Sequence, residues 1–237
     1  MYQSWRELLF LHWDFPAEQI QATLPPGLFV DTYDGKAWVG VVPFWMRKIR
    51  PRWFPAVPGI SNFLELNLRT YVHDGHGTSG VWFYSLEANQ ALAVWAARQF
   101  FHLNYQQAQM ESSHDSQHGW TEFHSQRVGA AASLHCQFCF RAITQPRPTE
   151  RGSFEFFLVE RYVLFTRSPS GQLYTGTVVH DPYSISEVEL PQWSDSLFPL
   201  NGFPRPNRPP IHAAMCRGVD VDVYGLVPLR DLGKRPV

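Results

Sequence analysis

Residues 63–72, with the sequence FLELNLRTYV, alternate between apolar and mostly polar side chains, which is the period-2 pattern of a β-strand. One face of the predicted strand is apolar, and the other carries Glu65, Asn67 and Arg69 in succession. On a sheet that is open to water on one side, the polar face would be ordinary surface. In a closed or half-closed barrel, it would place an acid, an amide and a cation inside a cavity. The alternation itself leaves both alternatives open.

Similar alternation, interrupted by turn residues, predicts strands along most of the chain. Asp34-Gly35 is a two-residue turn signal and predicts a hairpin between residues 29–33 and 36–44. The glycine-rich stretch 73–80 predicts a second hairpin, which joins the strand at 63–72 to another at 80–88. Further strands are predicted at residues 8–15, 120–128, 133–143, 172–180 and 218–229.

Helical periodicity is confined to three segments. The clearest is 89–101 (NQALAVWAARQFF), which has apolar residues at helical spacing, no glycine or proline, and Asn89 as a candidate N-cap. A short helix is predicted after Pro16, and we favour a helix for 153–165. Since no internal repeat or linker divides the chain, residues 1–237 are expected to form one α+β domain. This domain is mainly antiparallel β, with a few packed helices.

The composition narrows the class of partner. Of the 237 residues, 44% are hydrophobic and 15% aromatic, which is sufficient for a large core, and the net charge is −1. Because we see no basic stripe, we expect neither a nucleic-acid nor a membrane partner. The first residues lack a secretory-signal pattern and the three cysteines form no framework, so we expect a reduced, cytoplasmic protein. Nothing in the sequence indicates the oligomeric state.

Cysteine and histidine pairs raise the question of a metal site. Cys136 and Cys139 form a C-x-x-C motif, but they lie in an alternating segment that would point them to opposite faces of a strand. A zinc site would also need a second ligand pair at comparable spacing, and we find none. Four further histidines lie in loop-like stretches, at 73 and 76 and at 114 and 118. We therefore expect no metal, and also no cofactor, because the motifs of nucleotide, hydrolase and metalloprotease sites are missing.

Two other histidines, His12 and His180, lie within apolar strand-like runs. A buried histidine that is hydrogen bonded in the core is the more frequent explanation for such positions. The alternative is that they face a ligand, as Trp13 beside His12 and Tyr71 on the Glu65 face of its strand could also do. We name six candidate ligand-binding side chains: Asn67, Arg69, Tyr71, His12, Trp13 and His180.

A series of motifs along the chain resembles the uncharacterised YqjF-like family (domain of unknown function 2071). The motifs are LFLHW, LPPGL, VDTYDGKAWVGVVPF, FLELNLRTYV, GVWFYSLEA, AARQFFHLNYQQAQM, VERYVLF and VVHDP. That family is distantly similar to acetoacetate decarboxylase. The resemblance implies a β-barrel or sandwich whose strands line a cavity, with a helix closing one side. It also implies that Glu65 corresponds to a carboxylate in that cavity.

The chain departs from the acetoacetate decarboxylases at their reactive lysine. Those enzymes carry two adjacent lysines after a helix, and the first forms a Schiff base with a keto acid. In the matching stretch this chain has Tyr105 and Gln106. Its three lysines are Lys36 in a turn, Lys48 in a basic loop and Lys234 near the end of the sequence. The resemblance therefore does not extend to Schiff-base decarboxylation.

Two interpretations of function remain open. In the first, the cavity binds a small organic molecule, an anionic one included, and Arg69 contacts its charged group. In the second, the protein is a non-covalent lyase, isomerase or hydrolase in which Glu65 and Tyr105 are the catalytic acid and base groups. The aromatic content and the lack of a nucleophile favour the first interpretation.

Overall fold

The computed structural model describes residues 1–229, which form one large sheet and four short helices. The helices are α1 (Ala17–Gln21), α2 (Ala91–Phe101), α3 (Phe154–Val159) and α4 (Leu197–Leu200). The strands are β1 (Tyr2–Phe15), β2 (Phe29–Val30), β3 (Ala37–Arg50), β4 (Phe63–His73), β5 (Ser79–Ala88), β6 (Tyr105–His114), β7 (Thr121–Arg127), β8 (Cys136–Ala142), β9 (Arg147–Pro148), β10 (Val163–Arg167), β11 (Leu173–Val179), β12 (Ser184–Gln192), β13 (His212–Val223) and β14 (Val227–Pro228).

The sheet closes on itself. Starting from β5, the hydrogen-bonded neighbours run through β4, β3, β1, β13, β11 and β10, and β10 pairs with β5 again. A second path of strands, β6, β7, β8 and β12, also connects β5 to β13. Most pairs are antiparallel, but β5 is parallel to both β6 and β10. The predicted fold class, mainly antiparallel β in a barrel-like ring with a few helices, is confirmed.

Strands β1 and β4 of the ring have protein on both faces. In β1, Leu8 and Phe10 contribute to one hydrophobic core, and the alternating Leu9, Leu11 and Trp13 contribute to the other. β4 is divided in the same way, because its apolar face packs into the second core. A strand that is buried on both sides has no solvated face, which explains the nearly continuous apolar run LLFLHWDF. The polar face of β4 is therefore inside the ring.

Local sequence signals were correct for some turns and wrong for others. The predicted hairpin between 63–72 and 80–88 is confirmed as β4 and β5. The hairpin predicted around Asp34-Gly35 is wrong, because β2 pairs with β4 and not with β3. The turn itself forms, with the Tyr33 amide donating to the Lys36 carbonyl at 3.0 Å. The residues before it run along β4, where the Asp31 amide donates to the Tyr71 carbonyl at 2.9 Å and the Asp31 carboxylate forms an ion pair with Arg161.

Two helix predictions need correction. Helix α2 is present, but its N-cap is Gln90, whose side-chain oxygen accepts from the Leu92 amide at 3.1 Å. The segment 153–165 is a helix only in its first half, and the second half is strand β10, which completes the ring beside β5. Within residues 1–229, no helix is both long enough and apolar enough to span a membrane.

Candidate functional site

A cavity of about 190 Å³ lies inside the ring and borders the first hydrophobic core. Its wall is mainly apolar and comes from the inner faces of several strands together with one side of α2, including Ala93, Ala97 and Phe101. A few polar side chains converge on it: Gln3, Glu65, Asn67, Arg69, Tyr105, Arg161 and Tyr183. A mainly apolar concavity with a few convergent polar groups is the usual form of a small-molecule site.

Strand β4 supplies the acid, the amide and the cation in the order that its alternation predicts. Glu65 pairs with Phe44 of β3 and Ala88 of β5, and Asn67 pairs with Val42 and Leu86. Glu65 is 3% exposed and Asn67 is 4% exposed, so neither can be surface. The register with β5 shifts between Leu68 and Arg69, yet Arg69 still lines the cavity. The parity of residues 63–72 thus places all three side chains on one cavity wall.

The crossover from β5 to β6 brings Tyr105 to the same wall. Parallel strands need a connection that returns the chain to the same end, and here α2 provides it. The helix ends at His102, whose left-handed conformation (φ 51°) turns the chain towards β6. Arg98 of the helix then holds the first residue of the strand, because its Nε donates to the Tyr105 carbonyl at 2.6 Å. Since Asn67 pairs with Leu86 and Leu86 with Tyr105, these side chains share one face.

Glu65 and Tyr105 form a buried hydrogen-bonded pair. The Tyr105 hydroxyl donates to Oε2 of Glu65 at 2.6 Å, and the Asn67 amide donates to Oε1 over a longer 3.4 Å. Burial raises the pKa of Glu65 from 4.5 to about 7, although both hydrogen bonds oppose the rise. Burial and the Glu65 charge hold the pKa of Tyr105 well above its usual range. At neutral pH the pair therefore combines a protonated phenol with a carboxyl group that can gain or lose a proton.

Arg69 brings a positive charge that the described residues do not neutralise. In residues 1–229 it has no carboxylate partner, and its only protein hydrogen bond is a long one, 3.4 Å, to the Leu158 carbonyl. Its Nε has no partner there, nor does the Oδ1 atom of Asn67. The guanidinium lies over the rings of Phe10 and Tyr71, with 5.7 and 5.9 Å to the ring centroids. Arg161 differs, because Asp31 pairs with it at 2.7 Å.

In three of the candidate ligand-binding residues, the polar side-chain atoms are hydrogen bonded to other protein groups. Tyr71 donates its hydroxyl proton to the Leu158 carbonyl at 2.7 Å, so its oxygen accepts from Nε2 of His12, also at 2.7 Å. Nδ1 of His12 then accepts from Nδ1 of His212 at 2.9 Å. The indole of Trp13 donates to the Arg208 carbonyl at 3.0 Å in the second core. None of these three side chains lines the cavity.

His180 also lies outside the cavity wall. Its Nδ1 is 2.7 Å from the Asp181 carbonyl, and its ring packs beside Tyr162 and Tyr183. Its Nε2 is buried without a partner among the described residues. Burial lowers the pKa of His180, which favours the neutral ring.

Tyr183 and Arg161 line the cavity although sequence reasoning did not single them out. Tyr183 follows β11 in a short connection, and its amide donates to the buried carboxylate of Glu160 at 2.8 Å. Glu160 also accepts from the Tyr162 hydroxyl, so it holds this connection in place. Neither residue lies in an alternating segment that would have shown its direction. The nearest sequence feature is the segment Glu160-Arg161-Tyr162, a pattern that more often forms an ion pair at a helix end than a binding site.

The cysteines follow the predicted strand geometry. In β8, Cys136 is buried and Cys139 is partly exposed, as expected for residues that face opposite sides of a strand. Both are free thiols. Within residues 1–229 no cluster of three or more histidine, cysteine or acidic side chains could hold a metal ion.

We compared this geometry with known proteins. Several solved structures have the same fold over nearly the whole chain. An acetoacetate decarboxylase-like enzyme from Sphingomonas wittichii has a TM-score of 0.64 and 13% identity, with 98% of this chain and 93% of that chain covered. The enduracididine biosynthesis enzyme MppR, complexed with pyruvate, has a TM-score of 0.66 and 13% identity, with 97% and 90% covered. The fold is therefore of the acetoacetate decarboxylase-like class.

The sequence identifies the family more narrowly. The model of DUF2071, described as an uncharacterized conserved protein, matches residues 2–220. The uncharacterized protein YqjF of Bacillus subtilis is 35% identical over 212 residues, which is 89% of this chain and 85% of that protein. The chain belongs to the DUF2071 family.

The two lysines in the described residues are not placed to form a Schiff base in the cavity. Lys36 is largely exposed and binds Asp14 at 2.7 Å, and Lys48 is exposed. Neither lines the cavity. Lys234 lies outside the described residues.

We expect that the protein forms no imine with keto acids, because Tyr105 and no lysine of the described residues lines the cavity. Incubation with acetoacetate or pyruvate followed by borohydride should leave the intact mass unchanged. Acetoacetate decarboxylase treated in parallel is the positive control. A stable adduct on Lys36, Lys48 or Lys234 would show that a covalent route exists.

Proposed function

We propose that this protein binds a small organic anion, with Arg69 contacting the charged group and the apolar wall contacting the rest. The observation that supports it is the guanidinium of Arg69 on the cavity wall with no carboxylate partner in residues 1–229. A planar guanidinium forms its strongest hydrogen bonds with carboxylates and phosphates. A neighbour in fold is described as complexed with pyruvate, which is a small carboxylate.

The size of the cavity limits the ligand. A cavity of about 150 Å³ holds a benzene molecule, so the 190 Å³ here suits a ligand of roughly eight to ten non-hydrogen atoms. Glu65 lies four residues before Arg69, and these positions are about 13 Å apart along an extended strand. A ligand whose anionic end contacts Arg69 therefore extends past Asn67 towards the Glu65–Tyr105 pair.

The proposal can be tested with hexanoate, which has a carboxylate and an apolar tail of suitable length. Isothermal titration calorimetry should show that hexanoate binds at least roughly tenfold more tightly than hexan-1-ol, since only the acid pairs with Arg69. Equal affinities for the acid and the alcohol would contradict an anion site. Absence of binding by both compounds would contradict a ligand cavity of this size.

A second candidate function rests on the Glu65–Tyr105 pair. A carboxyl group with a pKa of about 7 inside an apolar cavity is well matched to general acid–base work at neutral pH. This supports a non-covalent lyase, isomerase or hydrolase. Mass spectrometry of small molecules that co-purify with the protein separates the two functions. A molecule recovered unchanged after incubation favours binding, and a time-dependent product favours catalysis.

A further inference from the structure

An exposed apolar surface lies beside the cavity, and we call it the outer patch. It consists of the loop of residues 51–60 between β3 and β4 and the outward side of α2. In the loop, Trp53 is 90% exposed and Phe54 is 65% exposed. On the helix, Trp95 is 54% and Phe100 is 66% exposed. Aromatic side chains at this exposure are unusual on a surface that has no partner.

The two parts of the outer patch are joined to each other and to the cavity. Gln90, the N-cap of α2, donates its side-chain amide to the Gly59 carbonyl in the loop. Helix α2 contributes to the cavity wall through Ala93 and Ala97 on its inner side, and Ile49 of β3, which precedes the loop, also lines the cavity. The outer patch therefore includes the outer surface of a helix that encloses the site, together with a loop bound to the start of that helix.

A basic run accompanies the aromatic side chains. Residues 47–52 read RKIRPR, so four of six side chains are cationic. Arg52 pairs with Asp222 at 2.7 Å, whereas Arg47, Lys48 and Arg50 have no carboxylate partner in the part of the chain that the structure describes. Arg47 and Arg50 lie over the rings of Trp45 and Tyr2, each at 4.8 Å from the centroid. Unpaired positive charge on Arg47, Lys48 and Arg50 thus directly precedes the exposed aromatic loop of the outer patch in the chain.

We propose that the outer patch docks on an anionic lipid surface. Tryptophan and phenylalanine insert at the level of the headgroups, and neighbouring Lys and Arg side chains contact anionic headgroups. A second copy of the chain fits less well, because a two-fold contact would bring the basic run close to its own copy. The proposal differs from the expectation of no membrane partner because it combines the basic run at 47–52 with the exposed aromatic side chains that the structure places beside it.

Vesicle co-sedimentation of the full chain tests the proposal. At moderate salt, the chain should bind vesicles of phosphatidylcholine with about one-third phosphatidylglycerol at least roughly tenfold more tightly than pure phosphatidylcholine. The double variant Trp53→Ala/Phe54→Ala and the charge variant Lys48→Glu should each lose most of this binding. The matched control is Val128→Ala/Ile143→Ala, which removes exposed apolar side chains outside the outer patch and should bind as wild type. Thermal melting confirms that every variant is folded.

Three results would overturn the proposal. The first is that wild-type protein binds neither kind of vesicle. The second is that Trp53→Ala/Phe54→Ala binds as wild type, since the aromatic side chains would then not insert. The third comes from light scattering on a gel-filtration column: a dimer that Trp53→Ala/Phe54→Ala converts to a monomer would assign the outer patch to a second copy.

Discussion

The substitution Glu65→Gln is expected to make the protein more stable than wild type by an amount that grows with pH. The free energy of unfolding of the variant minus that of wild type should rise by about 3 kcal/mol between about pH 4 and pH 8. The reason is that burial raises the pKa of Glu65 in the folded protein from 4.5 to about 7. Each pKa unit corresponds to about 1.4 kcal/mol.

The direction follows from proton binding. Between these two pKa values the folded state holds a proton on Glu65 that the unfolded state has lost, so the stability of wild type falls as pH rises through this range. Glutamine cannot ionise, so the stability of the variant does not fall for this reason. Other titrating groups, such as the neutral pair His12 and His212, contribute to both proteins and cancel in the difference.

Urea denaturation of both proteins over this pH range measures the effect. Tyr105→Phe serves as the comparison, because it removes a hydrogen bond that lowers the pKa of Glu65. In that variant the fall in stability should begin at the same pH as in wild type but continue to higher pH and become larger. A difference between Glu65→Gln and wild type that stays flat with pH would mean that Glu65 is not a buried acid.

The substitution Arg69→Gln is expected to weaken hexanoate binding by about tenfold to a hundredfold, because a hydrogen bond to a charged group contributes about 1.5–3 kcal/mol. Hexan-1-ol should bind wild type and variant equally, since it makes no ion pair. Arg69→Lys should recover only part of the loss, because lysine keeps the charge without the planar fork.

Calorimetry with the three proteins provides the measurement. Arg167→Gln is the matched control, since Arg167 is an exposed arginine that does not line the cavity. If Arg69→Gln leaves hexanoate affinity unchanged while the protein stays folded, the anion does not bind at Arg69.

The sequence was sufficient to predict which face of β4 carries the candidate site. Alternation over residues 63–72 placed Glu65, Asn67 and Arg69 on one side of a strand, since the side-chain period of a strand is two. Whether this side is exposed to solvent or buried depends on which strands, distant in sequence, close the ring. The pairings that close it, such as β11 with β13, join segments that are distant in sequence and leave no local pattern.

Other features could not be read from local patterns for related reasons. Residues 153–165 contain apolar side chains at helical spacing. The end of this segment nevertheless forms strand β10, because its backbone pairs with β5. Tyr183 and Arg161 reach the cavity from connections, where direction is set by contacts such as the one between Glu160 and the Tyr183 amide. Tyr105 was predicted as a site residue from the family resemblance and from the path of the crossover, because its own segment shows no alternation that would indicate the direction of its side chain.

A crystal structure of the protein with 6-bromohexanoate tests the central proposal most directly, because anomalous scattering locates the bromine independently of the model. We expect the carboxylate within hydrogen-bonding distance of the Arg69 guanidinium and the bromine in the cavity, towards Glu65 and Tyr105. Bromine located outside the cavity, or a carboxylate that contacts other residues and not Arg69, would contradict it.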